Sequence, residues 1–510
     1  MSILYYQGTT LDERVNNSLS DDFKHNAIKT AQETFYNKRR KLVSEMPEWE
    51  SYRQAARNIR QHVNDNLDFY VREFVENTTK RGNIVHLAPT AEDAINEVID
   101  ICESVNAKHI VKSKSMMSEE IGVNDELAAV GVQVTETDCA EHIIQTAGDK
   151  PSHIVVPALH FDRKAIAELY RKKRGYTGTD NPEEITHFLR HILRREFLTA
   201  DIGMRGCNFP VASTGSLTLV TNEGNGRMVD SIPQAQIVLA GIDRLVPDLD
   251  SLDVMMALLV RSSVGAKMTN YFTIDSGPRR DGENDGPREV HVILIDNGRS
   301  SLLGTEFRPM MRCIRCGACL NTCPVYRHIT GHGYGSIYPG PMGIVLTPAL
   351  LGYEQTSELP YACSLCGACD DDCPVKIPLH ELILKHRMNI VDQGQQPHPV
   401  EVPIFQAAGA VLGNRPLYDA SIKVASFGMK ALSRGTGSLD DQDSFIPVLG
   451  SWLQTRDLDN AASIKFRDWF AQRERHHTST QVQERNYITV SQEDLDEFYA
   501  SRSKSGKGNR

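Results

Sequence analysis

The chain lacks an excess of positive charge and any of the glycine-rich motifs that bind nucleotides. Lys and Arg number 56 against 66 Asp and Glu, which gives a net charge of −10 and a pI near 6.0. Non-specific nucleic-acid binding depends on basic side chains that neutralise phosphates, so this balance argues against a nucleic-acid partner. No G-x-G-x-x-G follows a predicted strand and no P-loop is present. The sequence therefore gives no support for flavin or nicotinamide binding.

Signals for export and for membrane insertion are also missing. The N-terminal MSILYYQGTTLDERV has neither the basic n-region nor the apolar h-region of a signal peptide. The longest stretch without Asp, Glu, Lys or Arg, residues 328–353, contains six Gly and three Pro, which favours an ordered loop over a membrane span. We therefore expect a cytoplasmic protein without a membrane span, in which clustered cysteines indicate metal ligands and not disulfides.

The pattern along the 510 residues predicts four regions. Residues 1–80 have helical spacing, residues 81–300 alternate short β-rich runs with amphipathic helices, residues 301–395 hold the cysteine motifs, and residues 396–510 form a C-terminal helical segment with a tail. The alternation predicts an α/β domain with a largely parallel sheet. The predicted strands are NIVHLA, KHIVKS, GVQVTE, SHIVVPA, SLTLVT, QIVLAG and EVHVILID. In the last region, four aromatic residues predict a small packed segment, and the polar residues 501–510 predict disorder. These aromatic residues are Trp452, Phe466, Trp469 and Phe470.

Most of the cysteines fall in two identical C-x2-C-x2-C-x3-C-P runs. Eight of the 11 are in these runs: Cys313, Cys316, Cys319, Cys323, Cys363, Cys366, Cys369 and Cys373. Zinc sites usually take cysteines in separated pairs, whereas three cysteines within seven residues wrap three corners of an Fe4S4 cube. Gly317 and Gly367 would let the backbone pass close to such a cube. The runs therefore predict two [4Fe-4S] clusters.

The fourth cysteine of each run decides how the two clusters are held. In two-cluster ferredoxins this cysteine ligates the other cluster. This rule gives cluster A to Cys313, Cys316, Cys319 and Cys373, and cluster B to Cys363, Cys366, Cys369 and Cys323. Local ligation stays open at this point, because each run has four cysteines of its own. Two adjacent clusters indicate an electron relay, and the isolated Cys102, Cys139 and Cys207 are predicted to be buried apolar thiols.

Two segments of the α/β region contain candidate polar sites. Residues 206–227 place a glycine-rich turn on each side of SLTLVT; such turns can hold an anion, and Glu223 is a candidate base or nucleophile. The alternative is a pair of ordinary tight turns. In residues 112–120 we expect Ser118 to cap a helix, while Lys112 and Lys114 are either solvated or paired with a carboxylate or phosphate.

Three segments and the cysteine runs together carry a resemblance to a known family. KSKSMMSEEIGVNDELAAVGVQVTETD, PSHIVVPALH, TGSLTLVTNEGNGR and the twin runs resemble the iron–sulfur members of the LUD (lactate utilization) domain family over residues 30–395, and more weakly over residues 452–470. The resemblance implies an α/β LUD domain similar to the ribose-5-phosphate isomerase and CoA-transferase fold. A mainly helical two-cluster ferredoxin-like domain would follow it.

The same resemblance implies a function. The chain would be the iron–sulfur electron-transfer subunit of a system that oxidises L-lactate to pyruvate. Its partners would be an A-type cysteine-rich subunit and a C-type LUD protein, and a further acceptor would receive the electrons. In the alternative, the LUD domain is itself catalytic on a hydroxy acid or acyl substrate, with Glu223 as the candidate residue and the clusters as its electron acceptors.

Overall fold

The computed structural model describes residues 3–479, except for residues 7, 398–400, 434–436, 441–449, 454–455 and 463. The chain divides into two compact units, Met1–Pro397 and His398–Arg510. Residues 501–510, for which the sequence predicts disorder, lie outside the described residues. Within the described ranges, every helix is too short or too polar to cross a bilayer.

Four helices open the first unit, and each except α1 buries at least one large apolar side chain. They are α1 (Leu11–Leu19), α2 (Asp22–Ser44), α3 (Trp49–Asp65) and α4 (Leu67–Lys80). The first begins with a capping box, in which Thr10 and Glu13 satisfy each other's free backbone N–H groups. Val63 and Phe74 are fully buried on consecutive helices, with the chain turning at Asn66 between them.

Nine strands follow between Ile84 and Ile295, in two sheets. They are β1 (Ile84–Ala88), β2 (His109–Lys112), β3 (Gln133–Glu136), β4 (Ile202–Gly206), β5 (Pro210–Val211), β6 (Ser216–Thr221), β7 (Ala235–Gly241), β8 (Tyr271–Asp275) and β9 (Glu289–Ile295). The main sheet has the order β1-β9-β7-β4-β2-β3, and all its pairings are parallel. The small sheet β5-β6-β8 is antiparallel. The predicted α/β class with a parallel sheet is confirmed.

One predicted strand is wrong, and three observed strands were not predicted. Residues 152–158 form consecutive turns, because their amide groups bond locally: Ser152 N–H donates to the carbonyl of Pro157 at 3.0 Å, and Val155 N–H to the His153 ring at 3.0 Å. The missed strands are β4, whose two glycines and one arginine hide its β character, β5, which has only two residues, and β8, which lies next to a charged turn.

Helices cover both faces of the main sheet. They are α5 (Ala91–Ser104), α6 (Met116–Ile121), α7 (Val123–Ala129), α8 (Cys139–Ala147), α9 (Arg163–Arg174), α10 (Pro182–Thr199), α11 (Asn225–Ser231) and α12 (Leu249–Ser263). Successive residues of a strand point to opposite faces: Ile237 and Leu239 join the core that contains α5, while Val238 and Ala240 join the core that contains α12. This second core continues into the cysteine-bearing region. The cysteine runs are therefore seated on one face of the sheet.

The cysteine-bearing region is mainly helical, as predicted. Its helices are α13 (Ala318–Thr322), α14 (Pro324–Ile329), α15 (Gly340–Leu351), α16 (Ala368–Asp372) and α17 (Leu379–Asp392), joined by 3-10 turns at Ser300–Gly304, Arg308–Arg312, His332–Tyr334 and Leu359–Tyr361. The uncharged stretch 328–353 is not simply an ordered loop, because much of it is the buried helix α15.

The described part of the second unit consists of four helices and two short strands. They are α18 (Glu401–Gly413), α19 (Arg415–Leu432), β10 (Ser438–Leu439), α20 (Gly450–Leu453), β11 (Leu458–Asp459) and α21 (Phe466–Ser479), with β10 and β11 antiparallel. The four aromatic residues predicted to pack here are 38 to 71% exposed. Phe466 contacts the rings of Trp469 and Phe470, with centroids 5.6 and 5.9 Å apart, but these side chains stay largely exposed.

Candidate functional site

The two cysteine runs have the same backbone shape. Arg315 and Leu365, two residues after the first cysteine of each run, have φ angles of 59° and 56°, and Gly317 and Gly367 have φ angles of 79° and 80°. A left-handed conformation costs a non-glycine residue about 1 kcal/mol. Its repetition at equivalent positions indicates that both loops are shaped around the same kind of object.

The first run is joined by a cysteine from the second. One small cavity is lined by Cys313, Cys316, Cys319 and Cys373, together with Ile314, Gly317, Met342 and Pro374. Burial raises the pKa of the Cys373 thiol to about 11, and the neighbouring Cys313 adds to this rise. The structure thus brings the last cysteine of the chain to the three thiols that begin 60 residues earlier.

The reciprocal grouping is found at the second run. Burial raises the pKa of the Cys323 thiol to about 11, and the electrostatic contributions to this rise come from Cys363 and Cys366. Burial, then Asp370, raises the pKa of Cys369, whose cysteine neighbours are Cys323 and Cys363. The fourth thiol of each run is therefore close to the other run.

The donor set fits an iron–sulfur cluster. The eight thiols form two sets of four. Burial raises the pKa of most of these thiols. A thiolate in either set therefore requires a strongly cationic partner such as iron. Backbone N–H groups also donate to the sulfur atoms: Arg315 to Cys313 at 3.4 Å, Leu365 to Cys363 at 3.3 Å, and Ile377 to Cys373 at 3.3 Å. Such hydrogen bonds tune cluster potentials.

The two groups differ in their access to solvent. Cys313, Cys316 and Cys319 are each 8% exposed, whereas Cys363 is half-buried and Cys366 is exposed. The group that contains the first run faces the interior of the unit. The group that contains the second run reaches the surface.

Arginines from distant segments hold the cysteine loops, and sequence reasoning missed them. Arg53 donates to the carbonyl of Cys373 at 2.8 Å, Arg244 to that of Cys313 at 2.7 Å, and Arg387 to that of Cys363 at 2.6 Å. Arg244 and Arg387 thereby satisfy carbonyls that the loop geometry leaves without a backbone partner, whereas the Cys373 carbonyl also accepts from Lys376 N–H at 3.2 Å. No local signal marks these arginines, because their partners lie 24 to 320 residues away.

A cavity of about 400 Å³ separates the α/β domain from the first cysteine run. Its walls include Glu223 and Asp138 on one side and Arg315, Cys316 and Tyr338 on the other. Glu223 accepts a hydrogen bond from the backbone N–H of Cys139 at 3.1 Å. The predicted site residue of the α/β domain therefore shares a cavity with one of the cysteine ligand candidates.

Three of the four acids that line this cavity hold protons more strongly than usual, whereas for the fourth, Asp243, burial is outweighed by nearby arginines, which lower its pKa. Burial, with repulsion from Glu223, raises the pKa of Asp138 to about 6. Burial also raises the pKa of Glu223 and of Glu141, although Lys114 lies nearby and opposes the rise. Carboxyl groups with raised pKa values can act as general acids or bases near neutral pH.

In the segment 112–120 the structure corrects the predicted helix cap and decides between the two alternatives for Lys112. Ser115, not Ser118, is the N-cap of α6 and accepts from Ser118 N–H at 3.2 Å. Lys112 is not solvated: its side chain is fully buried and bonds to Glu136 at 2.7 Å and to Glu119 at 3.2 Å. Lys112 therefore forms ion pairs that join β2 to β3 and to α6.

The isolated cysteines follow the prediction only in part. Cys102 is 2% exposed on the buried face of α5, whereas Cys139 and Cys207 are half-buried. Cys207 also lines the 400 Å³ cavity. Burial raises the pKa of all three thiols above their usual range.

Two family models match the chain in the order of its two main parts. The LUD domain model matches residues 71–295 and the 4Fe-4S dicluster domain model matches residues 309–377. The matched ranges contain, respectively, both sheets and both cysteine runs.

Several relatives match over nearly the whole chain. Lactate utilization protein B of Bacillus subtilis strain 168 is 46% identical over 91% of this chain and 96% of its own length. The proteins of the same name from Bacillus velezensis and Geobacillus sp. strain WCH70 are each 47% identical, over 91% and 92% of this chain and 97% and 98% of their own lengths. A solved DUF162 family protein from Deinococcus radiodurans is 15% identical over 45% of this chain and 98% of its own, with a TM-score of 0.27, and we draw no conclusion from that likeness.

Proposed function

Since the chain belongs to the family of lactate utilization protein B, we propose that it is the iron–sulfur electron-transfer subunit of a system that oxidises L-lactate to pyruvate. The observation that carries this proposal is the grouping of eight cysteines into two adjacent sets of four beside a polar cavity. Two neighbouring sets of soft thiol ligands suit a relay better than a single catalytic metal, which needs an open position.

We assign the ligands crosswise, with one [4Fe-4S] cluster in each set. Cluster A takes Cys313, Cys316, Cys319 and Cys373, and cluster B takes Cys363, Cys366, Cys369 and Cys323. The shared cavity of the first set and the electrostatic neighbours of Cys323 support this assignment. When bound, such clusters each accept and release one electron. The crossing also ties two loops 50 residues apart into one rigid body.

The burial of the two sets suggests a direction for the electrons. Cluster A, next to the 400 Å³ cavity, would be the entry, and cluster B, with the exposed Cys366, would be the exit. Three apolar side chains follow a helical stripe on α17 near this exit: Leu384, Met388 and Val391 are 46, 57 and 52% exposed. Small apolar patches of this kind suit the transient docking of a redox partner. We therefore propose this stripe as the contact for the electron acceptor.

The remaining partners follow from the family. We propose that an A-type cysteine-rich subunit and a C-type LUD protein work with this chain in the cytoplasm, and that the LUD domain serves as a docking scaffold or binds a small acid. A buried entry and an exposed exit would suit two different contacts, one for the electron donor and one for the acceptor.

A second function is favoured by one observation. Glu223 and Asp138, whose pKa values are raised mainly by burial, share a cavity with Cys316 and Arg315. In this alternative the LUD domain is itself catalytic on a hydroxy acid or acyl group, Glu223 is the base, and the clusters receive the electrons. A catalytic carboxylate must reach the proton it removes, and the cavity is large enough for a small acid.

Purified protein separates the two functions. The holoprotein alone, given L-lactate and an artificial electron acceptor, should not turn over; addition of the co-purifying subunits should start pyruvate formation. Turnover by the chain alone would favour the catalytic alternative. Failure of the complete set of subunits to reduce the clusters with L-lactate would contradict the electron-transfer role.

A further inference from the structure

Three residues outside the cysteine sets form a second cluster of metal-ligand type. Asp149, His160 and His332 each offer one ligand atom, and the three atoms lie within 4.8 Å of one another. His160 Nε2 is 3.0 Å from Asp149 Oδ2, and the centroids of the two imidazole rings are 4.6 Å apart. Two ligand atoms of a tetrahedral zinc ion lie about 3.4 Å apart at bond lengths of about 2.1 Å, so the cluster would contract by up to about 1.4 Å to hold an ion.

The close approach depends on a glycine. Gly331 precedes His332, and a Cβ at this position would lie 1.9 Å from the carbonyl oxygen of Ser152. The hydroxyl of Tyr326 donates to the same carbonyl at 2.7 Å. These contacts press the 3-10 turn His332–Tyr334 onto the turns at residues 149–160, which brings His332 next to Asp149 and His160.

Each imidazole ring is held by one nitrogen. His160 Nδ1 lies 3.0 Å from Ser152 Oγ, and His332 Nε2 lies 2.9 Å from the backbone carbonyl of Lys150. Histidines that ligate metals almost always use their other nitrogen in this way, because the bond fixes the ring and its tautomer. His160 then has Nε2 for an ion, on the side of Asp149. His332 Nε2 lies 3.9 Å from Asp149 Oδ1 and would exchange the Lys150 carbonyl for the ion.

We propose that Asp149, His160 and His332 bind a divalent transition-metal ion of the zinc type, in addition to the iron–sulfur clusters. Two imidazole nitrogens and one carboxylate oxygen are borderline ligands that suit zinc, whereas the eight thiols are soft ligands. Three protein ligands leave the fourth tetrahedral position open. Asp149 and Lys150 also line a neighbouring cavity of about 510 Å³.

The ion has a structural consequence that is independent of lactate chemistry. Asp149 and His160 belong to the α/β domain, and His332 follows α14 in the cysteine-bearing region. An ion bound by all three ligands fastens the cysteine-bearing region to the α/β domain. Binding to the folded protein alone stabilises it by mass action.

Metal titration of the cluster-loaded protein tests the proposal. The holoprotein is treated with a mild chelator under conditions that leave its iron content unchanged, then titrated with Zn²⁺ and measured by elemental mass spectrometry and thermal unfolding. We expect one Zn²⁺ per chain above the iron and a rise in unfolding temperature. His332→Gln and Asp149→Asn should each weaken Zn²⁺ binding by about a hundredfold and remove the temperature rise.

A matched control is His142→Gln, which also replaces a buried imidazole. His142 bonds to the hydroxyl of Tyr170 at 3.0 Å and has no place in the cluster. This variant should bind Zn²⁺ as the unmodified protein does. Equal Zn²⁺ affinity in His332→Gln, Asp149→Asn and His142→Gln would overturn the proposal and leave the cluster as a hydrogen-bonded contact. Loss of iron from any of these variants would not affect the conclusion, because the measured quantity is bound zinc per folded chain.

Discussion

Replacement of Arg299 by Met should cost a large part of the stability of the first unit. The Arg299 side chain is fully buried and makes two hydrogen bonds to Glu120, at 2.8 and 2.6 Å, and one to Asp243, at 2.8 Å. Both acids are also buried. Without the guanidinium, Asp243 keeps Arg315 at 3.3 Å and Glu120 keeps the hydroxyl of Tyr338. Removal of one partner of a buried ion pair costs about 3 to 5 kcal/mol. We expect Arg299→Met to lower the free energy of unfolding by an amount in this range.

The loss should depend on pH in a defined direction. Burial raises the pKa of Glu120, but Arg299 outweighs burial, so the pKa lies below its usual value and this acid stabilises the fold above that value. In Arg299→Met burial is opposed only by the hydrogen bonds from Tyr338 and Asn297, and we expect the pKa of Glu120 in the folded state to rise above its unfolded value. The variant then loses stability as the pH rises, by up to about 1.4 kcal/mol per pH unit for one proton.

Urea unfolding under anaerobic conditions, followed by far-ultraviolet circular dichroism between about pH 6 and pH 8, measures both effects. The control is Arg308→Met, because Arg308 and its partner Asp65 are 36 and 45% exposed, and such surface pairs contribute about 0 to 1 kcal/mol. A loss in Arg299→Met that equals the control, or one that does not grow with pH, would refute the reasoning.

Four further outcomes are expected. Cys323→Ser should damage the cluster of the second run and Cys373→Ser that of the first, as read by electron paramagnetic resonance and iron content; damage to each residue's own run would exclude the crossing. Deletion of the gene should stop growth on L-lactate and spare growth on glucose, and normal growth on L-lactate without a second lactate route would contradict the proposed role. Glu223→Gln should leave electron transfer through the complete system unchanged; a large fall in turnover would favour the catalytic alternative. Met388→Asp should raise the Michaelis constant for a protein acceptor by about tenfold without loss of iron, and an unchanged constant would remove α17 as the docking contact.

Local patterns were sufficient to predict the architecture. Strands and helices are encoded in apolar periodicity, so the parallel α/β sheet and the helical cysteine-bearing region were predicted correctly. The cysteine spacing indicated clusters for the same reason, since ligands of one loop are neighbours in the chain. Periodicity failed at several places, and two of them show why. Residues 152–158 are mostly apolar, but their backbone groups bond within the segment instead of to a neighbouring strand, and β4 contains two glycines, which are rare in strands.

Tertiary structure decided which residues meet. Residue type marks Lys112 as a surface residue, but the fold buries it between Glu119 and Glu136. Arg53 lies 320 residues from the Cys373 carbonyl that it holds, and His332 lies 182 residues from the Lys150 carbonyl that orients its ring. A sequence pattern carries information over a few residues, whereas such contacts arise when packing brings remote segments together. The types of element and of ligand are therefore properties of the sequence, and their grouping into sites is a property of the folded chain.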